Sequence, residues 1–524
     1  MAKSPADQIA AAPIADVAAL PVRSAGLVVF GIMTASLLQI LDTTIANVAI
    51  PHMQSALGAT RDEVSWVLTS YILATAVGIP LTGWLSDRIG SRRLFILSTA
   101  GFVLASMLCG MAQNITQMVL FRALQGLSGS FISPLSQAAM LDTNRPSRQP
   151  QMMAIWGMGI MAGPILGPIL GGWLTENWNW RWVFYVNVPL GIVALVILIA
   201  ELPSRPIIKK RFDLFGYAMI ALAITALQLM LDRGNHVDWF ESIEVWVYAL
   251  VLVCATWMGA VHFITTPNAT LFNAALFANR TFLVAFFFMI AMGVVMFASM
   301  ALMPPMLQHL FGYSVIGTGW ALMPRGLGTL ISMQVSAILV RRGVDPRRII
   351  VLGFVLMAAS FWQMSGWSLE VDQRQIFVTG LLQGLGLGLL FIPINTTAFN
   401  TLPPELRTEG SSLLNLSRSL GASIGIAITT ALLARNLQTS HSDLAAHVTA
   451  SMTGVIDLST TDKFQQIGTT ALTMIDAEVN RQAAMIAYID NFYMMMWLSL
   501  IVMPLALVMR RPAKVELLKG DAAD

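Results

Sequence analysis

LVVFGIMTASLLQILDTTIANVAI, residues 27–50, is a long apolar run with one charged side chain, Asp42. At about 1.5 Å of rise per residue such a run crosses a hydrocarbon layer of roughly 30 Å as a single helix. A charge held near a bilayer centre costs roughly 2.5–3.5 kcal/mol on insertion scales, so an acid retained there marks a candidate functional group. Segments of the same kind recur along the chain, and fourteen are expected, from 27–50 to 487–509. With 56% hydrophobic and 11% charged residues in 524, the fold class is an all-α polytopic membrane protein.

The loops set the orientation. The clusters Arg88/Arg92/Arg93, Arg145/Arg148, Arg205/Lys209/Lys210/Arg211, Arg341/Arg342/Arg347/Arg348 and Arg510/Arg511/Lys514 all fall on one side, which is therefore cytoplasmic. The other side has few basic residues in its short loops, chiefly Arg61, Arg181, Arg233 and Arg374, and both termini lie inside. Residues 1–26 have no compact apolar core of a cleavable signal and read as a mobile cytoplasmic tail, as does 510–524. The polar stretch 437–486 reads as a periplasmic loop with amphipathic helices lying on the surface, a candidate contact for a partner protein.

Several functions are excluded by what is missing. A net charge of +3, spread over loops, makes no nucleic-acid surface. Cys109 and Cys254 lie in apolar segments without ligand spacing, and the six histidines form no metal cluster. No nucleophile–base pair or phosphate loop is present, so no catalytic residue and no enzyme are expected. ALQGLSGSFISP, 123–134, matches LLQGLGLGLLFIP, 381–393, through Gln125/Gly126 and Gln383/Gly384, which points to related halves at 27–201 and 281–509. Their offset of eight spans leaves 202–280, with two extra spans, as the insertion.

Two motifs carry a resemblance. In GWLSDRIGSRRLF, 83–95, the spacing of Gly83, Asp87, Arg88, Gly90, Arg92 and Arg93 resembles the signature loop of the major facilitator superfamily; the cognate at 335–349 keeps the basic residues but not the spacing. GIMAGPILGPILGG places Gly159, Gly163, Gly167 and Gly171 four residues apart, on one helix face, with Pro164 and Pro168 among them. That packing and hinge face resembles the antiporter motif of drug-exporting members. Leu41, Asp42, Thr43, Thr44, Asn47, Ala49 and Pro51 are similar to the first-helix motif of the fourteen-span drug:proton antiporters, and the likeness continues through WRWVFYVNVPLG, 180–191, and LDRGNHVDWF, 231–240. The resemblance implies two six-helix bundles plus two inserted helices in a bacterial inner membrane. It also implies export of hydrophobic or amphipathic toxic compounds against entering protons, with the proton as coupling ion and no other cofactor. A periplasmic adaptor and an outer-membrane channel are the implied partners.

Counting rise from the outer span ends puts Asp42 about 12 Å and Arg122 about 10 Å deep, so the two are expected to be neighbours, with Gln39, Asn47 and Gln125 completing a polar network. Burial disfavours the carboxylate's charge and a nearby guanidinium favours it, so a small movement between them changes proton affinity. The substrate cavity is expected between the halves, lined by Gln39, Asn47, Trp66, Tyr71, Gln125, Arg325, Asn395 and Asn415. Arg418 is expected at an inner gate or structural contact. An uptake symporter or passive facilitator is the alternative, since it shares the fold and the 83–95 loop but does not need the glycine/proline face.

Overall fold

Prolines and capping side chains decide where the helices start and break. The computed structural model describes residues 16–208, 211–234, 236–266, 271–447 and 461–509, and the regular structure among them is entirely helical. The first half comprises α1 (Ala25–Ala56), α2 (Arg61–Gly78), α3 (Thr82–Ile89), α4 (Ser91–Met111), α5 (Ile115–Gly129), α6 (Ile132–Asp142), α7 (Gln149–Asn177) and α8 (Asn187–Glu201). After α9 (Leu214–Gly234) and α10 (Ile243–Thr265) come α11 (Arg280–His309), α12 (Val315–Arg341), α13 (Pro346–Ser365), α14 (Gln373–Asn400), α15 (Arg407–His447) and α16 (Thr461–Val502). Thr60 and Glu63 form a capping box ahead of α2, and Asn114 and Ser314 accept amide hydrogen bonds at the starts of α5 and α12.

Thirteen helices among the described residues are long and apolar enough to cross a membrane. The stretch expected as the fourth of fourteen spans is divided into α5 and α6. Pro134 has no N–H to give to the Ser130 carbonyl, so the helix breaks one turn earlier. Pro80 likewise tightens the α2–α3 junction into a 3-10 turn, Ile79–Leu81.

Close helix approach in the first half depends on the glycine face. A Cβ on Gly159 would lie 2.8 Å from Met33, on Gly163 2.6 Å from Ile40, on Gly167 2.1 Å from Thr44 Oγ1, and on Gly171 2.9 Å from Ile45. All four contacts are on α1, the helix that carries Asp42, and Thr44 Oγ1 donates to the Gly163 carbonyl at 3.2 Å. α7 runs through Pro164 and Pro168 without interruption. The inserted α9 covers a seam between the halves, since Ile224 packs with Ala76 and Ile79 of the α2 region and Leu416 of α15. Outside it, α10 leaves Trp246, Leu250, Trp257 and Ile264 exposed, as suits a helix facing lipid.

Two expectations are corrected. Within 437–486 the described residues continue two long helices and are not surface helices on a loop: α15 runs on to His447 and α16 begins at Thr461, with lengths of 41 and 42 residues, while 448–460 lie outside the described residues. Each is about 60 Å long, roughly twice the hydrocarbon thickness, so both run on beyond the membrane. Asn436 donates to Asp490 at 3.2 Å, and His441 meets Asp476 at 3.2 Å, tying the extensions together. No glycine or proline falls between Ile426 and His447 to stop α15. The N-terminal tail is also anchored from Asp16 onward, where Ser147 donates to the Asp16 carboxylate and the Leu20 amide to the Asp142 carbonyl. Residues 1–15, Lys209, Lys210 and 510–524 lie outside the described residues.

Gly167→Leu is expected to force α1 and α7 apart, at a cost of about 1–3 kcal/mol for overpacking, and to lower the thermal unfolding midpoint in detergent. Gly172→Ala, where a Cβ meets nothing within 4 Å, is the matched control and should melt near the parent. Equal midpoints for Gly167→Leu and the parent would contradict this packing.

Candidate functional site

Asp42 lies in the middle of α1 with no exposed surface, and the first half supplies it with partners from two other helices, α5 and α8. Arg122 of α5, equally buried, donates from Nη1 to Asp42 Oδ2 at 2.7 Å. Gln125, one helical turn along α5, donates from Nε2 to Asp42 Oδ1 at 2.9 Å and accepts from Arg122 at 2.7 Å. The Arg122 Nε donates to the Val67 carbonyl at 3.2 Å, and its guanidinium lies 4.3 Å over the Tyr71 ring and 5.7 Å from the Phe184 ring. The charge-assisted bonds and ring faces replace water around both ions.

The sequence reading missed Asn187. Its Nδ2 donates to Asp42 Oδ1 at 2.8 Å and to Ser106 Oγ of α4 at 2.9 Å, while Ser106 donates to the Phe184 carbonyl. Asn187 is the first residue of α8, and the run WRWVFYVNVPLG that contains it was the available signal. Asn47 does not join the network. It is exposed, because five residues beyond Asp42 is about 140° around a helix. Gln39 is buried nearby and instead accepts from Ser133 at 2.8 Å.

The residues expected around a substrate cavity are divided among three places. Tyr71 and Gln125 belong to the Asp42 cluster. Asn395 of α14 and Asn415 of α15 bond to Gln137 of α6, from the other half, at 2.6 and 2.9 Å; Ser411 also donates to Gln137, at 2.6 Å. Below them Asp142, at the end of α6, accepts from Arg407 at 3.2 Å and pairs with Arg205. Ser412 donates to the Ile79 carbonyl at 2.5 Å. These bonds lie toward the arginine-rich loops, so the halves are sealed to one another at the end that the loop charges assign to the cytoplasm. Arg418 donates to Asn415 at 3.1 Å and so borders this seal. Trp66 and Arg325 remain partly exposed within their helices.

The 83–95 loop sits against the same seal. A Cβ on Gly83 would lie 3.2 Å from Glu409, so glycine permits α3 to meet α15 closely. Gly90 adopts φ +92°, a left-handed value that favours glycine, at the turn into α4. The Asp87 carbonyl accepts from the Ile208 amide at 2.9 Å, Arg88 lies 5.4 Å over the Trp84 ring, and Arg92 donates to the Ile199 carbonyl, while Arg93 is exposed.

Removing one member of the buried pair leaves the other charge without compensation. Asp42→Ala should therefore destabilise by about 3–5 kcal/mol, and the double variant Asp42→Asn/Arg122→Gln by less than Asp42→Ala. Thermal unfolding in detergent checks the order, and a double variant melting below the single one would contradict it.

The family model of the Major Facilitator Superfamily matches residues 32–426. The multidrug export protein EmrB of Escherichia coli K12 is 34% identical over 433 residues, 82% of this chain and 84% of EmrB. The fatty acid resistance protein FarB of Neisseria gonorrhoeae is 33% identical over 441 residues, 82% of this chain and 85% of FarB. Among solved structures, the human organic anion transporter MFSD10 shares the fold at a TM-score of 0.58 and 15% identity, over 91% of this chain and 99% of its own. With the matched segment covering well over half of its length, the chain belongs to the major facilitator superfamily.

Proposed function

We propose that this protein is a proton-driven multidrug exporter of a bacterial inner membrane. The observation that carries the reading is the Asp42–Arg122 ion pair, fully buried in the first half of a fold sealed at its cytoplasmic end. EmrB and FarB, by their names, act in multidrug export and fatty acid resistance, which supports hydrophobic or amphipathic substrates and a transporter rather than an enzyme.

The coupling step follows from charge. A proton arriving from the periplasm neutralises Asp42 and removes the ionic part of its hold on Arg122. Gln125, the Val67 carbonyl and the Tyr71 ring then retain the arginine while α1 is released. The glycine face lets α7 shift along α1, and the Gln137 and Asp142 contacts between the halves open to the cytoplasm. Substrate entering from that side favours the state in which Asp42 is again paired, and the proton leaves inward. Proton and substrate thus bind in alternation, with no cofactor beyond the proton. The extended ends of α15 and α16 offer a periplasmic adaptor a helical surface, through which an outer-membrane channel would complete the export path.

In everted vesicles with an imposed proton gradient, Asp42→Asn is expected to abolish uphill substrate movement while substrate binding to the purified protein persists. A variant that still pumps uphill overturns the mechanism. Unchanged drug accumulation and growth of a pump-deficient host expressing the parent protein, across a panel of toxic cations and uncouplers, would overturn export itself.

A further inference from the structure

The repeated Gln–Gly pairs allow the two halves to be compared atom by atom. A Cβ on Gly126 would lie 2.3 Å from the Tyr71 carbonyl, and a Cβ on Gly384 would lie 2.0 Å from the Arg325 carbonyl. Gly126 of α5 therefore packs on α2 as Gly384 of α14 packs on α12, and Arg325 occupies the place of Tyr71. Gln125 bonds to Asp42 of α1; Gln383 exchanges hydrogen bonds with Ser299 of α11 at 3.0 and 3.3 Å. Ser299 thus stands where the first half has its carboxylate. The cation is present in both halves, contributed by Arg122 in one and Arg325 in the other, but among the described residues no acid pairs with Arg325.

The charge balance of the spans matches that geometry. In the first half the mid-span charges are Asp42 and Arg122, which pair. In the second half they are Arg325 and Arg418, and the acid within its expected spans, Asp490 near the outer end of 487–509, bonds to Asn436. Arg325 makes no ion pair among the described residues. A guanidinium has five N–H donors, and Arg325 gives one each to Ser299 Oγ at 3.3 Å and the Met296 carbonyl at 3.1 Å. The bond to Ser299 is long, neither acceptor carries a charge, and the side chain stays partly exposed mid-span where Arg122 is fully enclosed. A cation so placed is compensated by an anion, and the planar guanidinium holds a carboxylate through two parallel bonds.

We propose that the second half holds an anion-binding site centred on Arg325, and that the compounds it selects are amphipaths with an acidic group on an apolar body. This names the substrate class within the exporter reading and rests on it. Arg418, which donates to Asn415 at 3.1 Å, adds a second positive charge in the same half. The acid that the first half builds into α1 is, in the second half, supplied by the cargo.

Three probes with equal alkyl chains, ending in a carboxylate, a primary amide or a trimethylammonium group, test the proposal by binding to the purified full chain without any gradient. The parent is expected to bind the carboxylate about tenfold or more tighter than the amide, and the ammonium most weakly. Arg325→Gln should bring the carboxylate/amide ratio close to one, and Arg325→Lys should keep part of it. Ser299→Asp places a carboxylate against Arg325 and should also abolish the preference, without removing the arginine. An equal ratio in the parent, an undiminished ratio in both Arg325→Gln and Ser299→Asp, or binding of no probe by the parent overturns the site. Charge-selective binding with no movement of the carboxylate in energised vesicles would refute export and leave the site standing; export of all three probes with equal binding would do the reverse.

Discussion

A charge in the middle of a membrane has to be neutralised where it stands, and the first half of this protein is arranged around that requirement. Asp42 and Arg122 lie 2.7 Å apart with neither side chain exposed. The pair is held by α1 and α5 directly, by α2 through the Val67 carbonyl and the Tyr71 ring, and by α8 through Asn187, itself bonded to α4. Five helices therefore meet at one ion pair. Changing the charge of Asp42 alters the balance of all of them, whereas a polar contact on a loop would be damped by solvent.

The seal between the halves is built differently. Most of its bonds are neutral, from Gln137 to Asn395, Ser411 and Asn415, with the charged group Asp142, Arg205 and Arg407 below them. Neutral amide bonds have a small net free energy, about 0.5–1.5 kcal/mol each, so such a seal can open and re-form. α5 carries Arg122 and α6 carries Gln137 and Asp142, and the break at Ser130 and Phe131 lies between them. The ion pair and the seal are thus on one chain segment, joined at a turn that Pro134 creates.

Much of this was legible in the sequence, and the misses have physical causes. The meeting of Asp42 with Arg122 was legible because helical rise puts both at one depth and a charge left unpaired in the membrane is costly, so two opposite charges at that depth are expected to pair. The glycine face of α7 follows from four-residue spacing. Asn47 failed because depth does not fix the angle around the helix. Asn187 was missed because it follows the short helix Trp182–Tyr185, where periodicity says nothing about direction. The roles of Gln137 and Asp142 need the two halves to be placed against each other, which one sequence does not do. The described ends of 437–486 were misread because low hydropathy reports the surroundings of a segment and not its backbone, so a helix that runs on beyond the membrane reads as a loop.

The central claim is that substrate and proton occupy the protein in alternation through Asp42. Its most direct test is the proton count on substrate binding, followed with a pH indicator in weakly buffered solution of the purified protein over a range of pH. The parent is expected to release protons when substrate is added, and Asp42→Asn to bind substrate with no release. Equal proton release by the two proteins would contradict the account.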